Sequence, residues 1–269
     1  MIIFSNGRFH DDQDPAVPQD CGAFLHGHGV FTTMRLFQGD PRHLDEHARR
    51  LAEHAQALGL PPCPHSAILG AIIKELVQRN SLKRVDARLR ITWTMVQGKG
   101  WLGLVPGPLP EELERWQKEG ISVITLGPDF GRVFRPHLKS VNYLPSMLAL
   151  KEAEAAAGCP EALVFDAQGD LLEGAISNVF VVDDGTVMTP PDDGRILAGL
   201  TRQAVLRRLE QLELSHQEAH LHRDRVLCAQ EVFLTNSVRE IVPVIRIDGR
   251  QVGTGLPGPL TRTIQKSFR

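Results

Sequence analysis

The sequence lacks a charge excess of either sign, because 30 Lys and Arg stand against 32 Asp and Glu for a net charge of -2. That balance gives no electrostatic reason to expect a nucleic-acid or membrane-surface partner. No run approaches the 18 uninterrupted apolar residues of a membrane span. The opening MIIFSNGRFHDD has neither the basic stretch nor the long apolar core of a signal peptide, so the cytoplasm is the simplest address. Cysteine is scarce: Cys21, Cys63, Cys159 and Cys228 are scattered, with no CxxC pair and no clustered His/Cys spacing. Zinc and dithiol chemistry are therefore not expected, and the thiols read as free in a reducing compartment. No internal repeat or low-complexity tract is visible. What remains is ordinary: 42% hydrophobic and 23% charged residues describe a soluble globular chain. Its 269 residues make one large domain or two ordinary ones, at roughly 150 residues per domain. A small molecule is the default partner.

The N-terminal hairpin around Asn6-Gly7 leads into the strand-like GVFTTMRLFQGD. In LDEHARRLAEHAQALGL, Leu44, Ala48, Leu51, Ala55 and Leu58 recur at helical spacing, and SAILGAIIKELVQRN predicts a second amphipathic helix. RVDARLRITWTMV then reads as a strand. Gly, Pro and a short acidic stretch between Gly98 and Gly120 mark a boundary, giving domains over residues 1–110 and 121–269 with a linker at 111–120. Beyond it, ISVITLG predicts a strand and YLPSMLALKEAEAAAG a helix ending on Gly158. EALVFDAQGDLLEGAISNVFVVDDGTVMTPP, broken at Gln168-Gly169 and Asp184-Gly185, predicts a meander of tight hairpins, followed by the helix TRQAVLRRLEQLEL and the strand EVFLTN.

Several residues in this frame can carry chemistry. Lys139, in RPHLKSVNYL, has mostly apolar or neutral neighbours apart from Arg135 and His137. Desolvation or a nearby cation makes such an amine a Schiff-base former, although alone it reads as well as a solvated loop lysine. Glu173, in a strand, either faces water or aims a carboxylate at a site. Leu200 and Thr201 open a helix after a glycine, where free N–H groups suit a phosphate unless Thr201 is only a cap. TNSVRE at 235–240 offers a second polar turn able to bind an anion. His26 and His28 flank Gly27, and on a strand both imidazoles would share a face, but no third ligand is apparent and no metal is expected.

Taken in order, HGHGVFTTMR, LDEHARRL, LKSVNYL, LLEGAISNVF with ILAGLTRQ, and FLTNSVREIVPV resemble the fold-type IV pyridoxal 5′-phosphate (PLP) enzymes, the class IV aminotransferase family, from about residue 20 to the C-terminus. The C-terminal IDGRQVGTGLPGPLTRTIQKSF resembles its branched-chain aminotransferase branch. The resemblance implies an α/β (α+β) fold with a smaller N-terminal α/β domain and a larger C-terminal pseudo-barrel domain, the cofactor between them, and a homodimer. It implies that Lys139 carries PLP as a Schiff base and shuttles the proton, and that Glu173 faces the pyridine nitrogen. Arg50, the Leu200 and Thr201 backbone, the Thr201 hydroxyl and Ser237 would hold the phosphate, with Asn178 beneath the ring. His26, Lys99 and Val238 fall at substrate-binding places, although Lys99 stands where an arginine is usual and His26 and His28 replace an aromatic residue and an aspartate.

Within that family the GVFTTMR segment resembles 4-amino-4-deoxychorismate lyases, which yield 4-aminobenzoate and pyruvate for folate synthesis. On that resemblance Thr33 donates a proton to the departing enolpyruvyl group; a strand threonine kept for its β-propensity is the plainer reading. The K-x-x-N spacing from Lys139 to Asn142 and the TNS of residues 235–237 also look lyase-like. A branched-chain or D-amino-acid aminotransferase using 2-oxoglutarate is the alternative, and a dimeric ligand-binding protein without catalysis is a third reading.

Overall fold

The computed structural model describes residues 1–14, 17–130 and 135–268. The chain divides into two compact units: residues 1–110 with 138–142, and residues 111–137 with 143–269.

The first unit is built on β1 (Ile2–Ser5), β2 (Arg8–Asp11), α1 (Gly22–His26), β3 (Gly29–Phe37), β4 (Asp40–Pro41), α2 (Leu44–Ala57), α3 (Ser66–Arg79), β5 (Ala87–Val96) and β6 (Lys99–Pro108). The strands form one antiparallel sheet in the order β2-β1-β6-β5-β3-β4. Side chains alternate across a strand, so β3 sends Val30, Thr32, Met34 and Leu36 to one face and Phe31, Thr33 and Arg35 to the other. The first set joins Leu89, Ile91 and Leu104 in a core closed by Leu51 and Ala55 of α2 and by Leu69, Ile73 and Leu76 of α3. Each of these fully buried large side chains contributes about 1.5–3 kcal/mol. The ladder places Arg90 opposite Thr33 and Thr92 opposite Phe31, so the second face carries arginines and threonines. Helix α2 begins with Asp45 and Glu46, whose charges complement its N-terminal dipole.

The histidine pair does not lie on a strand. His26 ends α1, Gly27 turns the chain with φ 64° as the helix cap, and His28 precedes β3 with Nε2 2.9 Å from the Leu58 carbonyl. An alternating strand needs extended backbone at Gly27, and its left-handed conformation removes that. Among the described residues no group of three or more His, Cys, Asp or Glu side chains could hold a metal ion.

The second unit comprises α4 (Leu113–Glu119), β7 (Ile121–Leu126), α5 (Leu144–Ala157), β8 (Ala162–Phe165), β9 (Leu171–Gly174), β10 (Asn178–Asp183), β11 (Thr186–Thr189), α6 (Leu200–Gln211), β12 (His216–Glu218), α7 (Arg223–Leu227), β13 (Glu231–Asn236), β14 (Glu240–Ile247), β15 (Arg250–Gln251) and α8 (Pro259–Ser267). Its mixed sheet runs β12-β11-β10-β13-β14-β7-β8-β9, with β15 added to β14. Both faces are buried. Val179, Val181, Val232 and Leu234 enter one core, while Phe180, Val182 and Phe233 pack with Val205 and Leu209 of α6 and Ile264 of α8. The Phe180 and Phe233 rings stack with centroids 4.9 Å apart.

The hairpin at Asp184-Gly185 forms as its turn residues dictate, both with positive φ and with Asp183 paired to Thr186. The stretch read as a meander is interrupted, however. Strand β9 pairs with β8 at one edge of the sheet, whereas β10 pairs with β11 and β13. The Gly- and Pro-rich boundary stretch is also structured: it contains β6 and α4. Among the described residues no helix is long and apolar enough to cross a membrane.

Candidate functional site

In the first unit Lys139 comes from far along the chain to lie against β3. Its carbonyl accepts from the Phe31 N–H (3.0 Å), the Val141 N–H donates to the Gly29 carbonyl (3.0 Å), and Ser140 bridges Val30. Its own N–H donates to Nδ1 of His54 on α2, at 3.0 Å. The half-buried side chain brings Nζ to 4.7 Å from the Phe31 ring centroid. The Arg90 guanidinium lies 3.6 Å from the centroid of the same ring. Thr33 belongs to the strand face of Phe31, so amine, guanidinium and hydroxyl are all presented on one side of the sheet.

Behind β3 the neighbouring threonine does something else. Arg50 Nη2 donates to Thr32 Oγ1 at 3.0 Å, and that hydroxyl lies 2.6 Å from His47 Nδ1. All three groups are buried. They are satisfied together when Thr32 accepts from Arg50 and donates its proton to His47, leaving a neutral imidazole protonated on Nε2. Burial, and then the positive charges of Arg50, His43 and Lys139, hold the His47 pKa well below the ordinary imidazole value, which agrees with that tautomer. Arg50 is thereby fixed in direction as well as in place.

In the second unit Glu173 and Asn178 grip the two peptide groups on either side of one residue, Leu197. Glu173 Oε2 accepts from the Leu197 N–H at 3.2 Å, and Asn178 Nδ2 donates to the Leu197 carbonyl at 2.8 Å. Two residues further on, Gly199 is the N-cap of α6, with no side chain capping the helix; a Cβ there would overlap Asn178 Oδ1. Leu200 and Thr201 are the first two helical residues, so Thr201 is not the cap. The uncapped N–H groups and the positive end of the dipole make this terminus fit an anion.

Ser237 sits in the turn joining β13 to β14. There Asn236 Oδ1 accepts from the Val238 and Arg239 N–H groups at 3.0 and 2.8 Å, so the Val238 amide is engaged within the turn. A network from below holds the turn: Asn236 Nδ2 donates to Ser177 Oγ (3.1 Å), Ser177 to Glu161 Oε2 (2.9 Å), and Arg239 pairs with the same Oε2 (3.3 Å) while lying over Trp116. Glu161 is completely buried. Its pKa is pushed up by burial, against the opposing pull of Arg239 and the Ser177 hydroxyl.

Two sequence candidates lie at exposed positions of the first unit. Lys99 is exposed and pairs with Val96 at the tip of the β5–β6 hairpin. That is six residues along β5 from Arg90, roughly 20 Å at about 3.3 Å per residue. His26 is exposed at the end of α1. Arg90, His54 and the Glu161–Arg239 pair were not read from the sequence. The alternation of Arg88, Arg90 and Thr92 in RLRITW, and the helical spacing of His47, Arg50 and His54, were the available signals.

The chain matches the model of amino-transferase class IV over residues 29–247 and belongs to that family, whose members work with PLP. Among curated relatives, it is 40% identical to the branched-chain-amino-acid aminotransferase of Escherichia coli (strain K12), covering 99% of this chain and 91% of that protein. It is 32% identical to the D-alanine aminotransferase of Bacillus licheniformis (100% and 96% covered) and 30% identical to the aminodeoxychorismate lyase of Bacillus subtilis (strain 168; 100% and 94%). The structure of the branched-chain aminotransferase from the thermophilic archaeon Thermoproteus uzoniensis with norvaline superposes with a TM-score of 0.89 at 27% identity, covering 100% of this chain and 93% of that one.

Proposed function

We propose that this protein is a PLP-dependent lyase that converts 4-amino-4-deoxychorismate into 4-aminobenzoate and pyruvate. The observation that carries the reading is the placement of Thr33 on the strand face that also presents Phe31, against which Lys139 Nζ lies 4.7 Å from the ring centroid.

The residues present fit PLP by their own chemistry. Lys139 offers the amine, Glu173 a carboxylate for the pyridine nitrogen, and Arg50 a directed guanidinium for the phosphate. The start of α6 at Leu200 and Thr201 and the turn bearing Ser237 supply further phosphate donors, and the Gly199 position leaves no room for a Cβ. Asn178 fixes the loop that leads to that helix. When bound, PLP supplies an electron sink for the charge left on the substrate carbon. Lys139 Nζ takes the proton from the amine-bearing carbon. The Thr33 hydroxyl gives a proton to the oxygen of the departing enolpyruvyl group. Arg90, on the same face, suits a substrate carboxylate better than the distant Lys99, because a guanidinium binds carboxylates through two parallel hydrogen bonds. The lyase works as a homodimer on this reading, which agrees with Phe24 and Leu25 of α1 being 72% and 54% exposed.

A second reading, a branched-chain or D-amino-acid aminotransferase using 2-oxoglutarate, is favoured by the 40% identity to the E. coli enzyme. The two are separated by incubating the protein with 4-amino-4-deoxychorismate and, in parallel, with L- or D-amino acids plus 2-oxoglutarate. Release of 4-aminobenzoate without a keto acid supports the lyase; glutamate formation alone overturns it. Thr33→Ala should impair the lyase reaction more than any transamination, and an equal loss of both contradicts the role given to Thr33.

A further inference from the structure

We infer that His54 is a positioning residue for Lys139, holding the backbone from which the reactive amine projects. The inference rests on the proposed chemistry at Lys139 and adds to it a residue outside the cofactor and substrate contacts.

The geometry is specific. Lys139 lies in a short segment, residues 138–142, that rejoins the first unit after more than a score of residues spent in the second. On one side its peptide is held by backbone, since its carbonyl accepts from the Phe31 N–H at 3.0 Å. On the other side its N–H has a side chain for a partner, His54 Nδ1, also at 3.0 Å. The two bonds together fix the Lys139 Cα and hence the root of a side chain with four rotatable carbons, whose tip lies by the Phe31 ring. A shift of that root is passed on to Nζ, and misplacing a reacting group by an ångström costs orders of magnitude in rate.

His54 is itself anchored through α2. It stands one helical turn beyond Arg50 and two beyond His47, so all three residues share a face, and the helix that directs Arg50 also carries the support of Lys139. The bond requires Nδ1 as an acceptor, which an imidazole provides only when that nitrogen carries no proton. Asparagine places Oδ1 near the position of Nδ1 and can accept the same bond. Glutamine places its oxygen about one bond further out and cannot do so from the same backbone. Leucine keeps the bulk without the acceptor.

The test uses the full-length protein with His54→Asn, His54→Gln and His54→Leu, and two readouts. The first is hydrogen exchange of the Lys139 amide in cofactor-free protein. The second is the rate at which Lys139 is covalently captured with PLP. In that capture Nζ condenses with the PLP aldehyde, water leaves, and borohydride supplies the hydride that fixes the new bond. The expected result is that His54→Asn keeps amide protection and capture near wild type, while Gln and Leu lower both by about tenfold or more. Melting temperature, followed alongside, should not order the variants in the same way. Unchanged exchange and capture in His54→Leu overturn the inference, as does an equal loss in all three variants. Wild-type protein that captures no PLP on Lys139 overturns instead the proposed function, whatever the exchange data show.

Discussion

Thr32 and Thr33 are adjacent, alike in chemistry and equally suited to a strand, yet the structure assigns them opposite consequences when the hydroxyl is removed. Valine is the informative replacement for both, because it keeps the β-branched shape and β-propensity and deletes only the oxygen's hydrogen bonds. In Thr32→Val the Arg50 guanidinium and His47 Nδ1 each lose a buried partner, at 3.0 and 2.6 Å. A hydrogen bond to a charged group contributes about 1.5–3 kcal/mol and a neutral one about 0.5–1.5, so the combined cost is roughly 2–4 kcal/mol. That corresponds to a fall in Tm on the order of 5–15 °C. PLP affinity should fall with it, since Arg50 loses the contact that directs it. Thr33 is on the opposite face and only partly buried, so Thr33→Val should change stability by less than about 0.5 kcal/mol. Its expected loss is in the lyase rate, by about 10²–10⁴ if the hydroxyl is the proton donor. Urea unfolding and thermal melts of both variants, beside turnover of 4-amino-4-deoxychorismate, give the comparison. A neutral Thr32→Val, or a Thr33→Val as unstable as Thr32→Val, refutes the assignment of faces on which the site is built.

Three further outcomes follow from the buried groups. His47 has a folded-state pKa below its ordinary value, so the unfolded chain takes up the proton first. Stability should be full above about pH 6.5 and decline as the pH falls, by up to about 1.4 kcal/mol per pH unit, and urea midpoints at pH 7.5 and 5 should show that slope reduced in His47→Asn. Gly199→Ala drives a methyl into Asn178 Oδ1 and displaces the side chain from the Leu197 carbonyl, costing about 1–3 kcal/mol and weakening PLP binding in a fluorescence titration. Arg239→Met leaves the Glu161 carboxylate buried without its ion-pair partner, at a cost of about 3–5 kcal/mol near neutral pH. Because the Glu161 pKa is already raised in the fold, that cost should shrink as the pH is lowered and the carboxyl is protonated, and grow as the pH rises through it; a penalty independent of pH in urea titrations would count against the pairing.

The sequence made some of this architecture legible and hid the rest for definable reasons. Helices α2 and α3 follow from apolar spacing, because each repays one buried face, and α5 from its helix-favouring composition and the terminating Gly158. The class IV likeness pointed to Arg50, Glu173, Asn178 and Leu200-Thr201 in order, and the structure adds that Glu173 and Asn178 hold the N–H and the carbonyl of the same residue, Leu197. What local pattern could not reveal is non-local. The return of residues 138–142 to β3 depends on a bridge between Val30 and Ser140, more than a hundred residues apart. The separation of β9 from β10 depends on which strands β8 and β13 recruit. The histidine pair failed as a strand motif at one torsion, the left-handed Gly27. Arg90 was legible in principle, since period-two alternation puts it on the face of Thr33, but the register that sets it opposite Thr33 requires the sheet.

The amine at position 139 is the one that PLP is expected to occupy. The most direct measurement is to load the purified protein with PLP, reduce it with borohydride, digest it and locate the added mass by peptide mass spectrometry, with Lys139→Ala in parallel. One phosphopyridoxyl group per chain is expected, on Lys139, and none in the variant. Attachment at another lysine in place of Lys139, or wild-type protein that takes up no PLP, contradicts this assignment.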